Sequence, residues 1–293
     1  MTWRSPVASS DGPRKAAVLG KPIEHSLSPV LHRAAFDALG LTDWTYERVE
    51  TGADELPGFV DGLGPEWVGL SVTMPGKRRA LDHAAEVTPR AAAVGAANTL
   101  VRVEGGWLAD CTDVDGVTGA LRAAGGYTPS PGDRAVVLGA GGTAAAAVVG
   151  LAAMGVAAAS LVVREPARAG ETLDAAKSAG LEVDVLRWSE VDFPALAART
   201  AVLVNTVPPE AVLAHVPALA GVPSALDVIY HPWPTPLAEA VAARGGRLAT
   251  GLDMLLHQAF GQAEHFTGRP APREEMRSAL RAATGDILPL PIS

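Results

Sequence analysis

Cysteine is almost absent. Cys111 is the only one in 293 residues, which excludes an internal disulfide and any thiolate metal cluster and fits a reducing compartment. Basic runs are missing too. The 24 Lys and Arg stand against 32 Asp and Glu, a formal charge of -8, and no run of Lys or Arg would track a phosphate backbone, so no nucleic-acid partner is expected. Gly, Pro or a charge interrupts every apolar stretch well short of the ~18 residues of a membrane span, so no membrane association is expected. The opening Met1 to Arg14 lacks the apolar core of a secretion signal. It reads as a loose tail, and a cytoplasmic location is expected. None of the seven histidines forms a close pair suited to a metal, so no metal is expected. What the chain does have is 48% hydrophobic residues with only 19% charged, a composition that folds unaided, over a length that predicts two domains.

From Lys15 onward, short β-branched runs alternate with longer helical stretches, the pattern of βαβ units and an α/β fold. Strands are expected at 16–20, 44–49, 68–73 and 98–103, and helices near 29–39, 53–63 and 75–85. These make one small α/β domain, 1–112. A connecting helix at 113–124 and the loop-forming GGYTPSPGD of 125–133 lead into a second domain, 113–250. There, strands at 135–138, 160–163, 183–186, 201–204, 225–229 and 247–249 separated by helical stretches predict a doubly wound, Rossmann-type fold. The last apolar helix, from Met254 to about Phe266, has no strand after it, and the C-terminal helical segment 251–293 is expected to return to the first domain.

The run Val136-Val137-Leu138-Gly139-Ala140-Gly141-Gly142-Thr143 is a strand feeding a glycine turn that opens a helix. Gly139 permits the turn, Gly141 lets backbone approach a pyrophosphate, and Gly142 begins a helix whose free N–H groups attract an anion. An ordinary βα turn has similar letters, and the surrounding strand and helix are what favour a dinucleotide. An NAD-selecting fold places an acid at the end of the next strand. Here that position is Val163, followed by Arg164 and, one turn on, Arg168. Guanidinium groups there suit the ribose phosphate of NADP, although two arginines in a connection are also ordinary surface residues. Glu165 between them runs against the assignment.

In the first domain, Ser28-Pro29 reads as an N-cap followed by a first-turn proline, while Ser26 is not needed for capping. Two hydroxyls beside a helix start suit a carboxylate ligand. The run Leu70-Ser71-Val72-Thr73-Met74-Pro75-Gly76-Lys77 ends a strand and turns into a helix with Lys77 in its first turn, where the dipole disfavours positive charge, a useful setting for a proton-transfer group. Asp113 also opens a helix, as many structural acids do. Gln258 lies on the helix face of Met254 and Leu255, where it is either a site group or a satisfied helix edge.

Taken together, the blocks Gly20-x-Pro22-Ile23-x-His25-Ser26-x-Ser28-Pro29-x-x-His32, Val72-Thr73-x-Pro75-x-Lys77, Gly95-Ala96-x-Asn98-Thr99-Leu100 and Thr112-Asp113-x-x-Gly116 appear in order with the glycine turn. They are followed by Asn205-x-x-Pro208, Asp227-x-x-Tyr230-x-Pro232-x-x-Thr235-Pro236-Leu237 and Gly251-x-x-Met254-Leu255-x-x-Gln258-Ala259. From about Ala16 to Gly268 the chain resembles the shikimate dehydrogenase family. The resemblance implies reversible NADPH-dependent reduction of 3-dehydroshikimate to shikimate, a step of chorismate and aromatic amino acid biosynthesis. It implies Lys77 and Asp113 as the catalytic pair and Ser26, Ser28, Thr73, Asn98, Tyr230 and Gln258 around the substrate. It also implies Gly139, Ala140, Gly141, Gly142, Thr143, Arg164, Arg168, Asn205 and Gly251 near the cofactor, and it admits a homodimer. The family usually has Asn at the positions of Ser71, Cys111 and Val163 and often Arg at that of Ala145, which weakens the transfer at the adenosine end. A quinate or aminoshikimate dehydrogenase is the nearest alternative, and a non-catalytic sensor of shikimate-like ligands is the alternative from another class.

Overall fold

A computed structural model describes residues 12–292; the tail expected at the N-terminus therefore lies largely outside the described residues. Its last residue belongs to the fold after all, because Arg14 opens the first strand and its guanidinium donates to the Pro65 carbonyl at 3.1 Å. The chain divides into two compact units. One runs to Thr112 and takes in Gln258–Pro289, and the other comprises Asp113–His257 with the last residues from Leu290.

The first unit is built on a six-stranded sheet. Its strands are β1 (Arg14–Gly20), β2 (Trp44–Glu50), β3 (Trp67–Val72), β4 (Glu86–Val87), β5 (Thr99–Val103) and β6 (Gly106–Asp110), in the order β2-β1-β3-β5-β6-β4. Parallel pairing of β1 with β2 and β3 follows from the helical connections, but β5 and β6 form an antiparallel hairpin that the alternation of strands and helices does not predict. Its turn lies at Glu104-Gly105, where Gly105 has φ +87, a conformation that costs glycine no side-chain clash. The β1 run AAVL is apolar throughout because both faces of the sheet are covered. Ala17 and Leu19 pack with Leu70, Val72, Leu100 and Trp107, and Ala16 and Val18 with Phe36, Tyr46 and Phe266. The helix Arg273–Ala283, inside the C-terminal segment expected to be helical, packs on the helix Ser28–Ala38.

His32 lies within the second of these clusters. Its ring stacks on Tyr46 with centroids 4.3 Å apart, and its Nε2 donates to Gln262 Oε1 at 3.2 Å. Burial pushes its pKa down to about 4, with the Gln262 contact opposing only part of the shift. The folded chain thus keeps His32 neutral where the unfolded chain takes up a proton. The resulting stability is complete above about pH 6.5 and is lost as pH falls toward 4, on the order of 3 kcal/mol in all. We expect His32→Phe to flatten the change in urea midpoint between pH 7.5 and pH 5; a variant as pH-sensitive as its parent would disprove this origin.

The second unit carries β7 (Arg134–Leu138), β8 (Ala158–Val163), β9 (Glu182–Arg187), β10 (Val202–Asn205), β11 (Ser224–Asp227) and β12 (Arg247–Thr250). All pairings are parallel, in the order β12-β11-β10-β7-β8-β9, so the unit's first and fourth strands are neighbours and the order reverses between them. This is the doubly wound arrangement, whose ligand crevice opens outside the carboxyl ends of the strands at the switch point. The helix Gly142–Met154 is buried along most of its length, which explains its near-continuous Ala and Val. Expected as a strand to Ile229, β11 stops at Asp227, because the Asp227 carboxylate accepts from the backbone N–H of Ile229 at 3.3 Å and turns the chain. The helix Phe193–Ala198, capped by Asp192, also escaped the periodicity argument, being too short to show an apolar stripe. No helix among the described residues is long and apolar enough to cross a membrane.

Candidate active site

In the first unit, β1 and β3 leave the sheet at one edge, and antiparallel β5 enters there, with Ser71 opposite Thr99. Three loop segments therefore meet along that edge. The Lys21 N–H donates to the Met74 carbonyl at 3.0 Å, the Thr73 N–H to the Leu19 carbonyl at 2.8 Å, and the Ala97 N–H to the Lys77 carbonyl at 2.9 Å. Gly20 is required by this crowding, since a Cβ there would sit 2.3 Å from Thr73 Cγ2. The helix expected near 75–85 runs from Lys77 to His83, so Lys77, expected within its first turn, is its first residue.

The helix expected to be capped by Ser28 begins at Ser28 itself, with Leu27 before it and no side-chain cap. The capping assignment is therefore corrected. It is the Ser26 hydroxyl that accepts from the Ser28 N–H, at 3.3 Å, and the Ser28 hydroxyl turns to the Tyr46 phenol instead. A Ser can bond the N–H two residues on without being the cap, and letters alone do not separate the two arrangements.

A buried polar network runs inward from this edge. Asn98, 3% exposed, donates through Nδ2 to Gln258 Oε1 at 3.1 Å and to Thr112 Oγ1 at 2.9 Å, while its Oδ1 accepts from the Thr112 N–H at 2.8 Å. Gln262, one helical turn beyond Gln258, donates to the Asn98 carbonyl at 3.0 Å and to Thr99 Oγ1 at 3.1 Å, and accepts from Ser71 at 2.8 Å. Ser71 in turn accepts from Tyr46 at 2.6 Å, and burial raises the pKa of that phenol. The Ser28 and Asn98 positions are thereby joined through side chains, three of which (Tyr46, Ser71 and Gln262) sequence reasoning did not assign to the site. For Gln262 the available signal was the i, i+4 spacing of two amides on one face of the helix Gly251–Thr267.

In the second unit, Asp113 is the first residue of the helix Asp113–Ala123 and is 7% exposed. Tyr230 is partly buried, which raises its pKa. The loop carrying it hangs from Asp227, whose carboxylate accepts from Asn205 Nδ2 at 3.0 Å and from Thr235 at 2.7 Å. Burial raises the Asp227 pKa against these bonds. Asn205 itself is 1% exposed and spends its amide on Asp227 and on the Val207 backbone, so it shapes the turn after β10. Gly251 is dictated by close packing: a Cβ would lie 2.1 Å from the Val228 carbonyl oxygen and 2.6 Å from the Tyr230 ring. Thr250 and Asp253 close the helix start reciprocally, as a capping box does.

The glycine turn lies between β7 and the helix Gly142–Met154, at the switch point. Gly139 has φ +98, and a Cβ there would meet Thr206 Oγ1 at 2.6 Å. At Gly141 and Gly142, by contrast, an added Cβ meets nothing within 4 Å. That is open space over a helix N-terminus, the setting a pyrophosphate requires, so these residues fit a dinucleotide. Arg164 and Arg168 are exposed beyond the end of β8, where Val163 is buried.

These features define a class, an α/β protein pairing a mixed-sheet unit with a dinucleotide-binding unit. A model described as the shikimate dehydrogenase substrate-binding domain matches residues 18–100, and one described as the shikimate 5'-dehydrogenase C-terminal domain matches 251–281. An NADP(+) shikimate dehydrogenase of Methylobacterium radiotolerans is 39% identical over 92% of this chain and 96% of its own. The chain belongs to the shikimate dehydrogenase family. Among solved structures, the shikimate dehydrogenase of Mycobacterium tuberculosis is similar with a TM-score of 0.86 and 54% identity, over 92% of this chain and 100% of that one. The Thermus thermophilus enzyme in complex with NADP(H) and shikimate follows at 0.75 and 32%, over 92% and 99%.

Proposed function

We propose that this chain catalyses the NADP-linked interconversion of shikimate and 3-dehydroshikimate. The observation that carries the reading is the polar edge of the first unit, where Asn98 and Gln258 are held together by a buried network beside the Thr73–Lys77 turn. In a largely apolar interior such a network is worth keeping when its outer members meet a polyhydroxylated ligand. The names of the relatives supply the ligand.

On this reading Ser26 and Ser28 receive the substrate carboxylate, and Thr73, Asn98, Tyr230 and Gln258 bind the ring hydroxyls. Lys77 Nζ takes the hydroxyl proton in the oxidation direction and returns it in reduction, and Asp113 orients the ammonium. Bound NADP supplies the hydride acceptor. Gly139, Ala140, Gly141, Gly142 and Thr143 hold its pyrophosphate, and Arg164 and Arg168 its ribose phosphate. Asn205 and Gly251 act through the loops they shape. The enzyme works in the cytoplasm as a step of aromatic biosynthesis, without nucleic-acid or membrane partners, and light scattering tests whether it is a homodimer.

Following nicotinamide absorbance with shikimate and with quinate, each paired with NADP and NAD, tests the assignment. Shikimate with NADP is expected to be the fastest pair. Faster turnover of quinate would reassign the substrate, and failure of all four pairs in folded protein would remove the activity.

A further inference from the structure

The segment after β8 presents a difficulty for any site that takes a ribose phosphate: Glu165 stands between Arg164 and Arg168. A carboxylate facing that phosphate would oppose both arginines. The structure pairs it elsewhere. In the parallel register of β8 and β9, Val163 is opposite Arg187, so Arg187 leaves the sheet at the same edge and directly beside the Val163-Arg164-Glu165 turn. Its guanidinium approaches Glu165 Oε1 at 3.6 Å, and through Nε it approaches Glu190 Oε1 at 3.6 Å.

We infer that Arg187 is a specificity-determining residue for the cofactor: it neutralises Glu165 and holds that carboxylate away from the ribose phosphate, leaving Arg164 and Arg168 to bind it. The inference rests on the NADP reading above. Arg187 acts through Glu165 and so is a positioning residue. Both side chains are partly exposed, so the pair contributes little to stability, as such pairs usually do. Its effect lies in the local field, because a ribose phosphate carries about two negative charges and is twice as sensitive to a bare carboxylate as a single charge would be. NADH carries no such phosphate and is indifferent to the arrangement.

The test is equilibrium binding of NADPH and NADH, followed by nicotinamide fluorescence, to the parent, Arg187→Ala, Glu165→Gln and the double variant. Arg187→Ala is expected to weaken NADPH by about 3- to 10-fold at moderate salt while leaving NADH unchanged. Adding Glu165→Gln to Arg187→Ala should restore NADPH binding, since the repelling charge is then gone. Glu165→Gln alone should bind NADPH as well as the parent or better. An unchanged ratio of the two affinities in Arg187→Ala would overturn the inference. So would a loss that Glu165→Gln fails to rescue, which would mean direct contact of Arg187 with the phosphate. A parent without preference for NADPH would instead sink the underlying cofactor reading, and this inference with it.

Discussion

Lys77→Ala is expected to fold, to bind NADPH as the parent does, and to turn over shikimate about 10²- to 10⁴-fold more slowly, the usual loss for a general acid-base group. The residue opens its helix, and the chain there is held through backbone, by the Gly76 N–H on the Thr73 carbonyl at 2.9 Å and the Ala97 N–H on the Lys77 carbonyl. Truncating the side chain leaves those bonds in place. The glycine turn is in the other unit and is untouched. Single-turnover rates measured together with NADPH affinity separate the outcomes. Near-parental turnover would remove Lys77 from the chemistry, whereas loss of turnover together with NADPH binding would point to misfolding.

The largest expected loss of stability is at Asp110, a residue of β6 to which no role in the reaction is assigned. Its carboxylate, 2% exposed, accepts from Arg90 Nε and Thr88 Oγ1 at 2.6 Å each, from the Cys111 N–H at 2.8 Å, from Arg90 Nη2, and from His265 Nε2 at 2.6 Å. Burial alone would raise its pKa, but the bonds from Arg90, His265 and Thr88 outweigh burial and hold it well below the usual carboxylate range. Asp110→Ala takes away the acceptor these donors share, and breaking a buried pair on one side costs about 3–5 kcal/mol. Because the folded pKa is depressed, the stability Asp110 contributes is complete above about pH 4 and is lost as pH falls further. Urea unfolding at pH 7 should therefore show the full loss in Asp110→Ala, with the gap to the parent closing in acid. A variant within 1 kcal/mol of the parent at pH 7 would show that the cluster is not a determinant of stability.

Gln262 illustrates why part of the site was hidden in the sequence. It carries no charge and belongs to none of the motif blocks, yet it touches His32, Ser71, Asn98 and Thr99, residues from separate stretches of chain. Its partners become neighbours only when β3 and β5 pair and the helix Gly251–Thr267 lies against them. Lys77, by contrast, was legible because its neighbours in sequence, a strand end and a Pro-Gly turn, are also what place it at a helix start. Ser28 lies between these cases: its Pro neighbour marks the helix start, but only the folded Tyr46 ring decides where its hydroxyl turns.

By itself, the sequence determined the α/β class, the doubly wound second unit, the glycine turn and the order of the motif blocks, because periodicity, turn chemistry and helix starts act over a few residues and survive in the letters. Tertiary structure alone decided the antiparallel β5–β6 hairpin within the first sheet, the burial of the Asp110 cluster, the joining of Ser28 to Asn98 through Tyr46, Ser71 and Gln262, and the turning of Glu165 toward Arg187. Each of these depends on how segments apart in the chain are brought together. Its energy depends on strand register and on exclusion of water, and neither is set by the residues on either side of it.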